Sequence, residues 1–275
     1  PGWGAVFIHK ILNLITMISP LAYVDPGAKI GKNVTIAPFA YVEKGVEIGD
    51  DCTIMPYASV LQGTIMGRGN KVYHGAILGA IPQDFRFKGE DTLLKIGDDN
   101  TIREKVTINR ATTPDGCTSI GNGSFLMEGV HVSHDTCIGN DCIIGTGSSI
   151  AGECRVDDKA ILSSRVILHQ GCHVGTLAMV KGGSRATKDV PPYIIAAHNP
   201  ISYYGVNAVI LSKCGFSPDV IDDIAKAYRQ VYQCNISLEN ALRRIRTEVT
   251  VGREIQTLID FLEHSTRGII ALREV

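Results

Sequence analysis

The sequence predicts an all-β fold, a three-sided parallel solenoid of six-residue repeats, followed by a C-terminal α-helical domain. Three observations predict it. Stepping six residues at a time from Ile18 to Val180, 25 of 28 positions carry Ile, Leu, Val or Met, where composition alone would place about 8. A small residue stands two places before that slot in many repeats, as at Ala22, Ala28, Ala40, Ala58, Ala76, Ser148 and Ala178. Beyond Val180 the period stops at Asp189-Val190-Pro191-Pro192-Tyr193 and helix-start signals take over.

Residues 1–16 hold an apolar stretch interrupted by His9 and Lys10, too short to span a membrane and without a basic start or small-residue cleavage site. With Met17 standing just before the repeats, 1–16 is expected to be an upstream extension. The repeats follow over 17–190. A period of six matches neither the 3.6-residue stride of a helix nor the stride of two of a long strand, but it suits short strands separated by corners. One aliphatic side chain per hexad points inward. Three hexads complete an eighteen-residue coil, and each coil stacks on the last by parallel pairing at about 4.8 Å. The glycines that follow the aliphatic (Gly31, Gly49, Gly67, Gly97, Gly121, Gly139, Gly175) are expected to supply positive φ at the corners. Only slots 84, 90 and 114 fail, so loops project at 79–95 and 112–119 without loss of register, and such excursions are where solenoids place function. Over 191–275, Ser217-Pro218 and Ser237 each cap a helix and a third runs from Arg253 to His264, ending before Gly268.

The chain has 275 residues and a formal charge of −1. No global positive field exists to bind nucleic acid or an anionic membrane. Of the eight cysteines, Cys52, Cys142, Cys154 and Cys172 occupy the small inward slot, where a thiol acts as a compact hydrophobe. The others show no CxxC spacing. A reduced, cytoplasmic protein is expected.

Stacking by eighteen residues places His134, Gly152 and Gln170 in one column and His169 two coils above Ser133, with His131 close by. In His134-Asp135 the carboxylate can hold the imidazole in one tautomer and favour the imidazolium formed as it takes a proton, the requirement for activating a hydroxyl toward an acyl group. The Gly152 N–H, one coil on, is the candidate oxyanion donor. His131, His134, His169 and His173 also permit a zinc reading, but HxxH across a corner is not helical ligand spacing and no carboxylate or thiolate set completes a site, so no metal is expected. A serine nucleophile finds no Gly-x-Ser-x-Gly elbow.

These residues carry a resemblance. Ile-Pro-Gln83-Asp84, Ile102-Arg103-Glu104, His131-Val-Ser-His134-Asp135, Ala151-Gly152, His169-Gln170, Asp189-Val-Pro-Pro-Tyr193, Gly205-Val-Asn207 and Ser265-Thr-Arg-Gly268 follow one another as in the UDP-N-acetylglucosamine O-acyltransferases that begin lipid A biosynthesis. The resemblance implies a left-handed parallel β-helix, a homotrimer with sites between subunits, and no cofactor. It implies transfer of an (R)-3-hydroxyacyl group from acyl carrier protein to the glucosamine 3-position of UDP-N-acetylglucosamine. His134 would be the general base, Asp135 its partner and Gly152 the oxyanion donor. Gln83, Asp84, Asn109, His131, His169, Gln170, Asn207 and Lys213 would contact substrate, and Met179 with Gly182 would measure the acyl chain.

The chain departs from the family pattern at three places. Asn109 and Glu153 stand where histidines are common, and Lys213-Cys214 replaces an arginine pair, leaving a point charge without a bidentate fork. Two other readings remain open on sequence alone: the related N-acyltransferase of the same pathway, and a zinc-dependent γ-type carbonic anhydrase, which shares the solenoid.

Overall fold

The computed structural model describes residues 16–272; the expected upstream extension lies outside them except for Thr16. Short parallel strands form three sheets of 12, 9 and 8 strands among the described residues, and the chain visits the first, second and third sheet in turn. Successive coils pair eighteen residues apart, as Thr35 does with Thr53. The offset grows to thirty between Lys71 and Thr101 and to twenty-four between Thr101 and Phe125. Those increments are whole hexads, so the inward slots stay in line across both interruptions. Ile36, Ile54, Leu78, Ile102, Ile108, Leu126, Ile144, Ile150, Leu162 and Leu168 are all essentially inaccessible. Cys52, Cys142, Cys154 and Cys172 are free and buried among them, and burial pushes the Cys142 thiol up to about 11 and Cys154 to about 12.

The corner glycines do a different job from the one expected. Positive φ falls three residues after the aliphatic slot, where some coils have glycine, as at Gly45, Gly69 and Gly129, and others do not: Asn33, Phe39, Asp51, Tyr57, Asp135 and Glu153 lie between 57° and 63°. The glycine directly after the aliphatic is needed for room. A Cβ on Gly49 would lie 2.6 Å from the carbonyl carbon of Gly67, and one on Gly31 would lie 2.7 Å from the Asp50 amide. Along this edge, between the third and first sheets, an Asx oxygen accepts from the amide of the coil before in most coils, Arg68 being the exception: Lys32 to Asp50 (2.7 Å), Asp98 to Asn122 (2.7 Å), Asn122 to Asn140 (2.8 Å) and Asn140 to Asp158 (2.7 Å). The glycine column lets that ladder close.

The remaining two edges carry no such ladder, and one of them is broken. Strands Ile77–Ala80 and Thr107–Asn109 belong to the second sheet, whereas Leu93–Ile96 and Cys117–Ile120 belong to the third. Both loops, 81–92 and 110–116, therefore leave from the second–third edge. They are shorter than expected because the flanking strands extend into them.

Residues 191–275 are not helical from their start. Strand Ile194–Ala197 pairs parallel with Met179–Val180 and continues the first sheet past 190. Ser202–Val206 returns antiparallel, and Ala271–Leu272 adds a last strand. The expected period could not show these strands, because the antiparallel return abandons the hexad. Four helices follow: α1 (Ala208–Lys213), unanticipated, then α2 (Pro218–Tyr232), α3 (Leu238–Glu248) and α4 (Arg253–His264). Ser217 accepts from the Val220 amide and Ser237 from that of Asn240, as expected of N-caps. The tail is tied down by polar groups. Buried Asp189 accepts from the His173 amide (2.8 Å) and the Ser265 hydroxyl (2.6 Å), and the Tyr228 hydroxyl donates to the Pro192 carbonyl (2.6 Å). None of the described helices is long and apolar enough to cross a membrane.

Candidate active site

The broken edge gathers the chemistry. His134, 6% exposed, lies just after strand His131–Val132, and its Nδ1 is 2.9 Å from Asp135 Oδ2. Asp135 sits in the left-handed region, φ 57°, which a short polar side chain tolerates. The second loop fixes that carboxylate: the Thr112 hydroxyl donates to Oδ2 (2.6 Å) and the Thr112 amide lies 3.2 Å from it. The Asp135 amide donates in turn to the Thr118 hydroxyl (2.8 Å).

The first loop supplies a second carboxylate. Asp84 Oδ2 lies 3.3 Å from His134 Nε2. Arg86 grips Asp84 with its side chain at 2.8–3.1 Å and its own amide at 2.8 Å. These hydrogen bonds hold the Asp84 carboxyl well below the usual carboxylate range, against a smaller opposing effect of desolvation. Arg86 also reaches Glu153 Oε1 (2.9 Å), which accepts from Gln170 Nε2 (3.1 Å). Glu153 thus joins the network.

Gly152 is needed where it stands. A Cβ there would come within 2.6 Å of His134 Nε2 and closer still to Cε1, so only glycine lets the imidazole lie flat against the next coil. Its amide N–H donates to no group among the described residues. The equivalent amides of Lys32, Asp98, Asn122 and Asn140 donate to the Asx oxygen of the next coil; here the amide borders a buried imidazole instead.

The other expected residues divide. His131 is half-buried, its Nε2 is 3.0 Å from the Ser133 hydroxyl, and burial lowers its pKa, keeping it neutral near pH 7. His169 is exposed, with Nδ1 3.3 Å from an Arg267 guanidinium nitrogen; an arginine only donates, so Nδ1 accepts. Gln83 is exposed beside Asp84. Asn109 is a correction. It is 1% exposed, and its amide donates to the Ile81 carbonyl (2.8 Å), pinning the base of the first loop. Asn207 is likewise buried, its amide committed to the Leu177 carbonyl (3.2 Å) at the start of α1. Within one chain Lys213, Met179 and Gly182 do not join the cluster: Met179 faces out from the first sheet, Gly182 lies on the first–second edge and Lys213 ends α1. Among the described residues no group of three or more His, Cys, Asp or Glu is placed to hold a metal ion.

Arg86, Thr112, Thr118 and Arg267 were missed. Arg86 follows Asp84 by two, inside the loop the sequence singles out. The two threonines could have been found by asking which residues leave the hexad beside Asp135.

Comparisons with known proteins agree with this geometry. A family model described as UDP-N-acetylglucosamine O-acyltransferase, domain 2, matches residues 189–270, and one described as bacterial transferase hexapeptide (six repeats) matches 45–80 and 117–152. An acyl-[acyl-carrier-protein]–UDP-N-acetylglucosamine O-acyltransferase of Burkholderia lata is 44% identical, covering 93% of this chain and all of its own. A solved UDP-N-acetylglucosamine acyltransferase from Bacteroides fragilis superposes with a TM-score of 0.90 at 50% identity, covering 92% of this chain and 100% of its own. The Francisella novicida enzyme superposes equally well, 0.90, at 32% identity over 93% and 94%. The shared fold is a left-handed parallel β-helix with helices at its C-terminal end.

Proposed function

The chain belongs to the UDP-N-acetylglucosamine O-acyltransferase family, and from that premise we propose how its broken edge carries out the reaction. The protein is an enzyme that transfers an acyl group from acyl carrier protein to UDP-N-acetylglucosamine, in lipid A biosynthesis. The relatives favour this over the N-acyltransferase and the zinc hydratase.

The finer reading rests on one observation: His134 is held between Asp135 on Nδ1 (2.9 Å) and Asp84 on Nε2 (3.3 Å), against the bare Gly152 backbone. The sugar 3-hydroxyl enters between Nε2 and Asp84. Nε2 takes its proton as the oxygen bonds to the thioester carbon, and the flanking carboxylates stabilise the imidazolium. The carbonyl oxygen becomes an oxyanion facing the Gly152 N–H. As the C–S bond breaks, the imidazolium returns its proton to the carrier's thiolate. Asp84 and Gln83 orient the sugar, with His131, His169 and Gln170 lining its surroundings. The acyl group is (R)-3-hydroxyacyl, no cofactor takes part, and the cytoplasm is the compartment where both substrates are made.

The active assembly is a homotrimer. His134 lies on the second–third edge, whereas Met179, Gly182 and Lys213 lie on or beside the first sheet, so one prism cannot bring them together. Packing the second sheet of one subunit on the first sheet of the next does. Those two faces carry the outward apolar side chains Tyr23, Tyr41, Ile77 and Ile167, and Met17 and Ile143, all at least 36% exposed, whereas the third presents Lys29, Lys95 and Arg155. Lys213 of a neighbour then serves the nucleotide, and Met179 with Gly182 bounds the acyl chain.

Mass spectrometry of the product from UDP-N-acetylglucosamine and a mixed pool of acyl carrier thioesters tests the reaction, with a mono-O-acylated, 3-hydroxyacyl sugar nucleotide expected. N-acylation, or no product, contradicts it. Sedimentation equilibrium tests the assembly, and a monomeric active enzyme would refute the shared site.

A further inference from the structure

We propose that Glu153 is a positioning residue for the sugar nucleotide, acting through Arg86 as a latch that holds the first loop over His134. The inference rests on the reaction just described. Arg86 spans loop and prism at this point: it clasps Asp84, two residues away in the loop, and Glu153, sixty-seven residues on in the solenoid, at 2.8 and 2.9 Å. Glu153 sits on the same edge as Asp135, one coil further, and shares its left-handed turn, φ 61° against 57°. Its carboxylate is aimed back along the edge and held by Gln170 (3.1 Å).

The chemistry of the pairing suits a carboxylate at this position. Its charged oxygen accepts from both Arg86 and Gln170, where a neutral side chain would offer the guanidinium a weaker, uncharged acceptor, and contact with two carboxylates raises the proton affinity of Arg86. Without the Glu153 anchor, Arg86 still balances Asp84 but no longer ties that pair to the coil carrying Gly152. The loop then loses a crosslink to the edge, and Asp84 loses its fixed place opposite Nε2. Because Asp84 orients the sugar while His134 and Gly152 act on the acyl transfer, the loss falls on capture of the sugar nucleotide more than on the chemical step. Glu153 touches no reacting atom.

The test is a double-mutant cycle with Glu153→Gln and Arg86→Gln, reading kcat and KM for each substrate separately. Glu153→Gln is expected to raise KM for UDP-N-acetylglucosamine by about threefold to tenfold, the scale of a partly exposed charged pair, with a smaller change in kcat and none in KM for the acyl carrier thioester. The double variant is expected to be no worse than Arg86→Gln alone, since Glu153 acts only through Arg86. Raising salt is expected to lift the wild-type KM toward that of Glu153→Gln. Effects that multiply, a loss confined to kcat, or an unchanged KM in Glu153→Gln would each overturn the latch while a fully active wild type leaves the reaction standing. A wild type without acyl transfer would remove the premise instead.

Discussion

Two edges of the same prism share one repeat, one turn and one left-handed position, yet differ in everything else. On the third–first edge the coils lock through a glycine column and an Asx ladder, with Asn122, Asn140 and Asp158 each satisfying the coil before. Those polar groups serve the stack. On the second–third edge two insertions of whole hexads interrupt the repeat, and the polar groups turn toward a buried imidazole: Thr112 and Thr118 toward Asp135, Arg86 toward Asp84 and Glu153. The difference teaches that a solenoid gains chemistry where its regularity is suspended without its register being lost.

Substitutions on the two edges should therefore separate rate from stability. Gly152→Ala places a methyl group against His134, and acyl transfer is expected to fall about 10²- to 10³-fold from the displaced base and amide, read as kcat/KM on a protein with unchanged circular dichroism. Gly121→Ala makes a similar backbone collision, 2.8 Å from the Gly139 carbonyl carbon. There the expected result is a lower unfolding midpoint, corresponding to roughly 1–3 kcal/mol, with activity retained at low temperature. Equal rate losses in both would erase the contrast.

A smaller effect is expected from Asp135→Asn, about 10- to 100-fold in kcat, because the amide can still accept from Thr112 yet no longer favours the imidazolium. Steady-state kinetics at saturating sugar nucleotide measures it. Arg86→Gln should sharpen the pH dependence. Asp84 is held below the ordinary carboxylate range of about 3.9, so in the wild type it stays ionised as pH falls to that range. With Arg86 removed the carboxyl returns upward, and the rise in KM at acid pH should begin at higher pH than in the wild type. Asn140→Ala removes the acceptor of two Asn122 N–H groups and the donor to Asp158, and is expected to cost about 1–3 kcal/mol and nothing in rate, by chemical denaturation and assay.

The solenoid was legible because its signal is periodic: one aliphatic every six residues keeps its meaning through 160 residues of chain. His134, Asp135, Gly152 and Asp84 were legible for the same reason, since the stacking interval converts sequence distance into neighbourhood. What stayed hidden was aperiodic. Arg86 reaches Glu153 through a loop whose path the hexad does not set, and Asn109, expected to contact substrate, is sealed under that loop instead. The glycine column misled because both a positive φ and a close approach ask for glycine, and only coordinates show which of the two applies. Strands Ile194–Ala197 and Ser202–Val206 escaped because pairing with an already built sheet needs no repeat.

The most direct test of the account is the rate of acyl transfer by His134→Ala, measured beside the wild type with its assembly checked by sedimentation. The account predicts an intact trimer whose kcat falls about 10²- to 10⁴-fold, the scale of a lost general base. Transfer within a few-fold of the wild type would contradict it, whatever the state of the fold.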